Sequence, residues 1–315
     1  MKCQQPAFVS SDARLSGEDR ARSITSKRDA GNLSLSVEII AGQSLPPRLV
    51  AADLDGTLLL SDTHRLSPAT IRSVGTLRRM GIETVLVTGR MYRSAKSVAR
   101  QLGLDGPLAA YQGALIRDVA TDELLHYDPV PVELAQDILD FVRPSGCVVN
   151  VYLDDQLYVE KRTSFVDWYE GVSGMRANFV GSLRSFVDRP PTKMGLGGDP
   201  QLVADILPGL KSHLGERANA IMTWPHFIEL TSRTATKSRA VEFICQRLEV
   251  RRDEVLAFGD GHNDADMLAW ANTGVAMGDA PPEVAALADE ICESVDDDGF
   301  TRYLVRQWWF PGSDS

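Results

Sequence analysis

Cysteine is scarce in this chain, with four among 315 residues, at Cys3, Cys147, Cys245 and Cys292. They lie far apart and form no Cys-x-x-Cys pair, so neither a compact zinc cluster nor a secreted disulfide framework is suggested, and reduced thiols in a cytoplasmic setting are expected. Basic residues are also in deficit: 33 Lys and Arg against 43 Asp and Glu leave a net charge of -10. Nucleic-acid backbones are held by clustered Lys and Arg, so nucleic acid is not an expected partner, and any phosphate must be held locally. No apolar run approaches the roughly 20 residues of a membrane span, and the first residues lack the apolar stretch of a secretory signal. A soluble protein with no membrane partner is expected, as a monomer or homodimer. Internal repeats are absent. What remains, 43% hydrophobic and 24% charged residues, is ordinary for one or two globular domains.

Residues 1–47 are rich in Ser, Arg, Asp and Gly without periodicity, which reads as a flexible N-terminal extension. A disordered tail and a misassigned start are both compatible with it; a transit peptide would be poor in acids, which Asp12, Glu18, Asp19 and Asp29 oppose. After Pro46-Pro47 the run Leu49 to Leu54 has no polar alternation, as expected of a strand buried on both faces of a parallel sheet. Ser67-Pro68 then opens a helix through about Met80, with Ser67 as N-cap. A second strand, Ile82 to Val87, stops at Thr88-Gly89-Arg90 and gives way to a helix ending near Leu102. The alternation returns late: a helix face marked by Val241, Ile244 and Leu248, a strand from Val255 to Phe258, a helix from Asp264 to Ala271, a short strand at Val275 to Met277, and a helix opened by Pro281-Pro282. This grammar predicts a doubly wound α/β core, a Rossmann-like parallel sheet, built from 48–126 and 231–310 with a short tail at 311–315. Residues 127–230 differ. Val149 to Leu153 and Gln156 to Val159 flank an Asp154-Asp155 turn like a hairpin, so this block is expected to be an inserted α+β domain.

Asp53 and Asp55 stand two apart at the end of an apolar strand, so both carboxylates can project to one side, at the sheet edge where ligands bind in open α/β folds. Gly56 permits a sharp turn there and Thr57 can tie its hydroxyl to the loop backbone. A solvated turn would use the same residues. Thr88 and Gly89 reach the same edge, offering a hydroxyl and backbone N–H groups at a helix start, although Thr88 also suits a plain N-cap. Lys237 lies at a helix start, where the dipole disfavours a cation; a nearby anion would resolve the conflict, and a solvated surface lysine is the alternative. In Gly259-Asp260-Gly261-His262-Asn263-Asp264, two acids sit four apart across a strand-to-helix turn. They can be caps, but with Asp53 and Asp55 they supply the oxygen-only set that magnesium prefers.

Taken together and in order, Asp53-Leu54-Asp55-Gly56-Thr57, Thr88, Lys237 and Gly259-Asp260 through Asn263-Asp264 resemble the four motifs of the haloacid dehalogenase superfamily, from about Leu49 to Val305. The insertion between the second and third motifs is similar to the large cap of Cof-type phosphatases. The resemblance implies a Mg2+-dependent phosphomonoester hydrolase for a small phosphorylated metabolite: sugar phosphates first, then phosphorylated cofactors or precursors such as flavin mononucleotide or pyridoxal phosphate. It implies that Asp53 is the nucleophile and Asp55 the general acid and base. Asp53, the Asp55 carbonyl, Asp260 and Asp264 would hold Mg2+, and Thr88, Gly89, Lys237 and Asn263 would bind the phosphoryl group. An acid at Asp55 favours a phosphatase or phosphomutase over dehalogenases and ion-pumping ATPases. Two positions depart from the pattern: Ser238 stands where Gly is usual after the lysine, and Gln112-Gly113 where Asn-Gly is usual. His262 reads as an exposed loop residue. Substrate selection is expected from the cap and its border, with Gln112, Tyr152, Tyr158, Lys193, Trp224 and His226 as candidates. A phosphomutase or phosphotransferase with the same nucleophile and a non-catalytic binder of phosphometabolites are the alternatives.

Overall fold

The run after Pro46-Pro47 forms the strand Leu49–Ala52, buried at every residue, in a computed structural model that describes residues 46–308. Outside that span it describes one antiparallel pairing of Arg22–Ser23 with Glu38–Ile39. Save for that pairing and residues 46 and 47, the expected N-terminal extension lies outside the described residues, as does the expected 311–315 tail. Leu49–Ala52 belongs to a five-stranded, all-parallel sheet in the order Glu290–Ile291, Thr273–Ala276, Val255–Gly259, Leu49–Ala52, Glu83–Leu86. Both faces are covered, which is why these strands carry apolar residues without alternation. Val50 and Ala52 pack in one layer with Val74, Leu77, Ala95 and Phe300; Leu49 and Ala51 pack in the other with Val241, Ile244 and Leu268.

Helix Pro68–Arg79 starts where the sequence predicts: Ser67 Oγ accepts the Thr70 N–H at 3.0 Å and proline takes the first helical position. The next helix is different. It spans Tyr92–Gln101 with Met91 as N-cap, so Thr88-Gly89-Arg90 form a loop and Thr88 is not the cap of a helix.

Strands Pro107–Ala110, Leu115–Asp118 and Leu124–Tyr127 form a three-stranded antiparallel sheet, joined to the core by a bridge between Val87 and Ala109. A six-stranded mixed sheet follows, in the order Ala177–Phe179, Gln156–Val159, Val148–Leu153, Lys193–Gly197, Phe227–Ser232, Ala218–Trp224. Helices Val132–Val142 and Pro200–Leu214 cover the face carrying Val151, Met194 and Ile228. Helix Ser164–Ser173 packs on the other face, where Phe165 and Tyr169 meet Phe227. The Asp154-Asp155 hairpin is present: both turn residues are left-handed, at φ 50° and 56°, and Leu153 pairs with Gln156. This register sets Tyr152 opposite Leu157 and Tyr158 opposite Val151, so the two tyrosines point to different faces. Among the described residues no helix is long and apolar enough to cross a membrane, and Cys147, Cys245 and Cys292 are free.

Candidate active site

Asp53 follows the last residue of Leu49–Ala52, and its N–H donates to the Phe258 carbonyl at 3.1 Å. The carboxyl ends of the two central strands therefore deliver Asp53 and Gly259-Asp260 side by side, at the sheet edge where open α/β folds bind ligands. Lys237 begins the helix Lys237–Leu248, which Thr236 caps. Its ammonium, buried, stands 2.7 Å from Asp53 Oδ1 and 2.5 Å from Asp264 Oδ1. The cation that the helix dipole disfavours is thus held by two anions, and the surface-lysine alternative is excluded by its 1% exposure. Asp264 is fully buried and also builds the turn: its Oδ2 accepts the N–H groups of Asp260 at 3.1 Å and Gly261 at 2.9 Å. Asp260 Oδ1 accepts the Thr57 hydroxyl at 2.9 Å, so that hydroxyl joins the two loops instead of tying to its own loop backbone as expected. Gly56 lies against this carboxylate, at φ 77°, where an added Cβ would come within 2.3 Å of Asp260 Oδ2; no other residue fits there.

Oxygens of Asp53, Asp260 and Asp264 all lie within 4.8 Å of one another. Crowding of this kind raises carboxyl pKa values. Burial, and then Asp264 and further acids, hold the Asp53 carboxyl well above the usual carboxylate range against the opposing pull of Lys237. Asp260 is pushed up to about 7, by burial first and by Asp264 second. Burial also works against the Lys237 ammonium, but Asp264 and Asp53 outweigh it and keep the group charged. Three carboxylates facing one ammonium carry a surplus of negative charge, and every donor is an oxygen. That set fits a divalent cation.

Asp55 is half-exposed, and Arg90 grips both of its carboxylate oxygens, with Nε at 2.6 Å from Oδ2 and Nη2 on Oδ1. His64 Nδ1 lies 3.9 Å from the same carboxylate. Sequence reasoning passed over Arg90; its place directly after Thr88-Gly89, on the loop that faces Asp55, was the available signal. Thr88 is buried, with its N–H on Ala109 O and its hydroxyl accepting from Arg90 N–H at 3.2 Å. Ser238 is engaged within the fold: its N–H and hydroxyl both donate to Asp266 Oδ2, tying the starts of two helices together. His262 is exposed and pairs with Glu283.

The six candidates for substrate selection scatter. Gln112 is buried and bonds Glu229 and Asn263. Lys193 is buried against Glu229 and over the ring of Tyr152, whose hydroxyl bonds Tyr169. Tyr158 packs on Phe186, on the face of the six-stranded cap sheet that helices Val132–Val142 and Pro200–Leu214 cover, away from Lys193 and Tyr152. Trp224 and His226 join Trp168 in an aromatic group at the end of the hairpin between the last two cap strands. Glu229 was missed altogether. It occupies a polar position in an alternating strand, a pattern that ordinarily marks a solvated face.

The profile of the haloacid dehalogenase-like hydrolases matches residues 50–304. Among curated relatives, an HMP-PP phosphatase of Escherichia fergusonii is 29% identical over 76% of this chain and 87% of its own. A 5-amino-6-(5-phospho-D-ribitylamino)uracil phosphatase of Bacillus subtilis is 28% identical over 82% and 96%. A haloacid dehalogenase-like hydrolase from Bacteroides thetaiotaomicron, solved as a crystal structure, is similar at 25% identity with a TM-score of 0.75, covering 82% of this chain and 99% of that one. With the parallel core, the cap sheet and the acid cluster placed as above, the chain belongs to the haloacid dehalogenase-like hydrolase family and is homologous to Cof-type phosphatases over most of its length.

Proposed function

We propose that the chain hydrolyses a small phosphomonoester through an aspartyl-phosphate on Asp53, with Mg2+ as its metal. The observation that carries this reading is the Asp53 carboxylate, buried at the sheet edge between the Lys237 ammonium at 2.7 Å and the Asp260 and Asp264 carboxylates. Lys237 holds Asp53 with one oxygen free to attack phosphorus. In the first displacement an Asp53–phosphorus bond forms as the ester bond breaks, and its electron pair leaves with the alkoxide, which takes a proton from Asp55. In the second, water attacks the aspartyl-phosphate, its proton returns to Asp55, and inorganic phosphate leaves with Asp53 regenerated. Asp53, Asp260 and the Asp55 carbonyl would hold Mg2+, with Asp264 supporting them through Lys237 and the turn. When bound, the ion offsets the charge of carboxylate and phosphoryl oxygens that would otherwise repel. Thr88, the Gly89 peptide, Lys237 and Asn263 are the phosphoryl-binding groups.

Relatives named for HMP-PP and for a phosphoribitylamino-uracil support a polar phosphorylated metabolite as substrate, a sugar phosphate or a cofactor precursor. The cap sheet over the site is the part of the molecule that varies the leaving-group contacts.

The test is phosphate release from a broad phosphometabolite panel, with and without Mg2+, by the wild type and Asp53→Asn. The amide cannot act as an anionic nucleophile, and the change is nearly isosteric. Circular dichroism should be unchanged and turnover abolished; more than a few percent of activity in a preparation free of wild-type enzyme overturns the mechanism.

A further inference from the structure

The cap sheet meets the catalytic loops through a buried ion pair. Lys193 and Glu229, 2% and 9% exposed, lie on neighbouring strands with Nζ and Oε1 2.6 Å apart. A buried pair is tolerated when its remaining hydrogen-bonding capacity is also used, and here the core uses it. Lys193 Nζ donates to the Gly89 carbonyl at 3.0 Å. Glu229 Oε2 accepts Gln112 Nε2 at 2.8 Å, and Gln112 Oε1 accepts Asn263 Nδ2 at 3.1 Å. The series starts at the loop after the second core strand, crosses two cap strands, and ends on the loop that carries Asp260 and Asp264.

Direction is built into the series by chemistry. An ammonium can only donate and a carboxylate can only accept, so Lys193 and Glu229 leave Gln112 one orientation, amide nitrogen towards Glu229. The Gln112 oxygen then faces Asn263 and requires a donor, which fixes the Asn263 amide and leaves its second N–H with no partner among the described residues. The backbone supplies a separate observation. Tyr111, Gln112 and Gly113 are all left-handed, at φ 54°, 60° and 94°; two consecutive residues other than glycine in that region persist only where their surroundings hold them. The cap holds both, through Glu229 on Gln112 and through Asp155, which accepts the Tyr111 hydroxyl at 2.7 Å.

We infer that Lys193, Glu229 and Gln112 are positioning residues that orient the Asn263 amide and the Gly89 peptide for the phosphoryl group, so that phosphate binding is complete only with the cap seated. This rests on the proposed function, in which Asn263 and Gly89 receive phosphate. The relay acts on the part common to every substrate, whereas leaving-group contacts act on the part that differs.

Glu229→Gln keeps the shape but admits a donor, so Gln112 and then Asn263 lose their enforced orientation. Binding of inorganic phosphate to the Mg2+-loaded protein, by titration calorimetry, should weaken about tenfold, and kcat/KM should fall by a similar factor for every substrate, p-nitrophenyl phosphate included. Gln112→Met breaks the relay without stranding a charge, and it carries the same expectation should Glu229→Gln fail to fold. In an Asn263→Ala background each change should cost less than about twofold, because the group they orient is gone. A purely structural role predicts factors that multiply in the double variants, and that result overturns the inference, as does unaltered phosphate binding in both single variants. Phosphate binding is read without turnover, so an active Asp53→Asn would overturn the proposed mechanism while leaving the relay to be judged by the calorimetry.

Discussion

Removing the Lys237 ammonium while keeping the length of its side chain, as in Lys237→Met, tests the electrostatics of the centre most directly. The ammonium touches Asp53 and Asp264 at 2.7 and 2.5 Å, and these carboxylates and Asp260 have oxygens within 4.8 Å of one another. At an effective dielectric constant of about 20, two like charges at that spacing repel by about 3 kcal/mol. Breaking a buried ion pair costs about 3–5 kcal/mol, and the same range follows for this variant wherever the acids stay ionised. Protonation is their escape, and the sign follows from the pKa directions. Asp53 is held well above its ordinary value and Asp260 is pushed up to about 7, in both cases with Lys237 opposing the rise. Loss of Lys237 raises both further. A carboxyl whose folded pKa lies above its unfolded value gives stability that is present at low pH and lost as pH rises through the folded pKa. The penalty of Lys237→Met, from urea melts against wild type in EDTA, should therefore be small at pH 5.5 and reach about 3–5 kcal/mol at pH 8.5. Added Mg2+ should recover part of it at pH 8.5 only. Turnover should fall by about a hundredfold or more. An equal penalty at both pH values, untouched by Mg2+, would refute this account of the charge balance.

Asp260→Ala should raise the Mg2+ concentration for half-maximal rate and lower the maximum, because an oxygen donor is lost; an unchanged titration means the metal lies elsewhere. Arg90→Met frees the Asp55 carboxylate from its two-point grip and should lower kcat for every ester by about ten- to a hundredfold, with Arg90→Lys restoring only part, since a point charge does not reproduce the fork; full activity in Arg90→Met would show that Asp55 needs no such restraint. Trp224→Ala should change the ranking of substrates by about tenfold or more while p-nitrophenyl phosphate is hydrolysed as before; a uniform fall across all of them would remove Trp224 from selection.

The core was legible because its information is local. Leu49 to Leu54 declares a doubly buried strand by composition alone, and Asp53 and Asp55 sit at its end by simple succession. Ser67-Pro68 fixes a helix start within three residues, and the bond from Thr70 N–H to Ser67 Oγ is the one that the pattern implies. Lys237 was legible through a contradiction: a cation at a helix start calls for an anion, and Asp53 and Asp264 supply it. Thr88-Gly89-Arg90 misled, because a turn followed by a helical pattern does not say how many loop residues intervene, and here the helix waits until Tyr92.

The cap yielded less, for reasons that differ residue by residue. Tyr158 need not have been grouped with Tyr152. A two-residue turn at Asp154-Asp155 pairs Leu153 with Gln156, and counting back along both strands by twos already sets the tyrosines on opposite faces. Lys193 and Glu229 could not be resolved in that way. A charged residue in a strand reads as a solvated position or a ligand contact, and only the partner decides; here the partner is 36 residues away on another strand, and the pair is completed by Gln112 and Gly89 of the core. Taking the Lys193 ammonium for the Gly89 loop removes it from the groups that meet a leaving group. Under the proposed function, selection then falls to side chains whose polar atoms are not committed to the junction, a description that fits Trp224 and His226, which touch Trp168 rather than the relay. The strand that begins beside the aromatic group, at Phe227, carries Glu229 two residues further on, so under the proposed function one strand joins the groups proposed to select the substrate to the relay proposed to reach the phosphate loops.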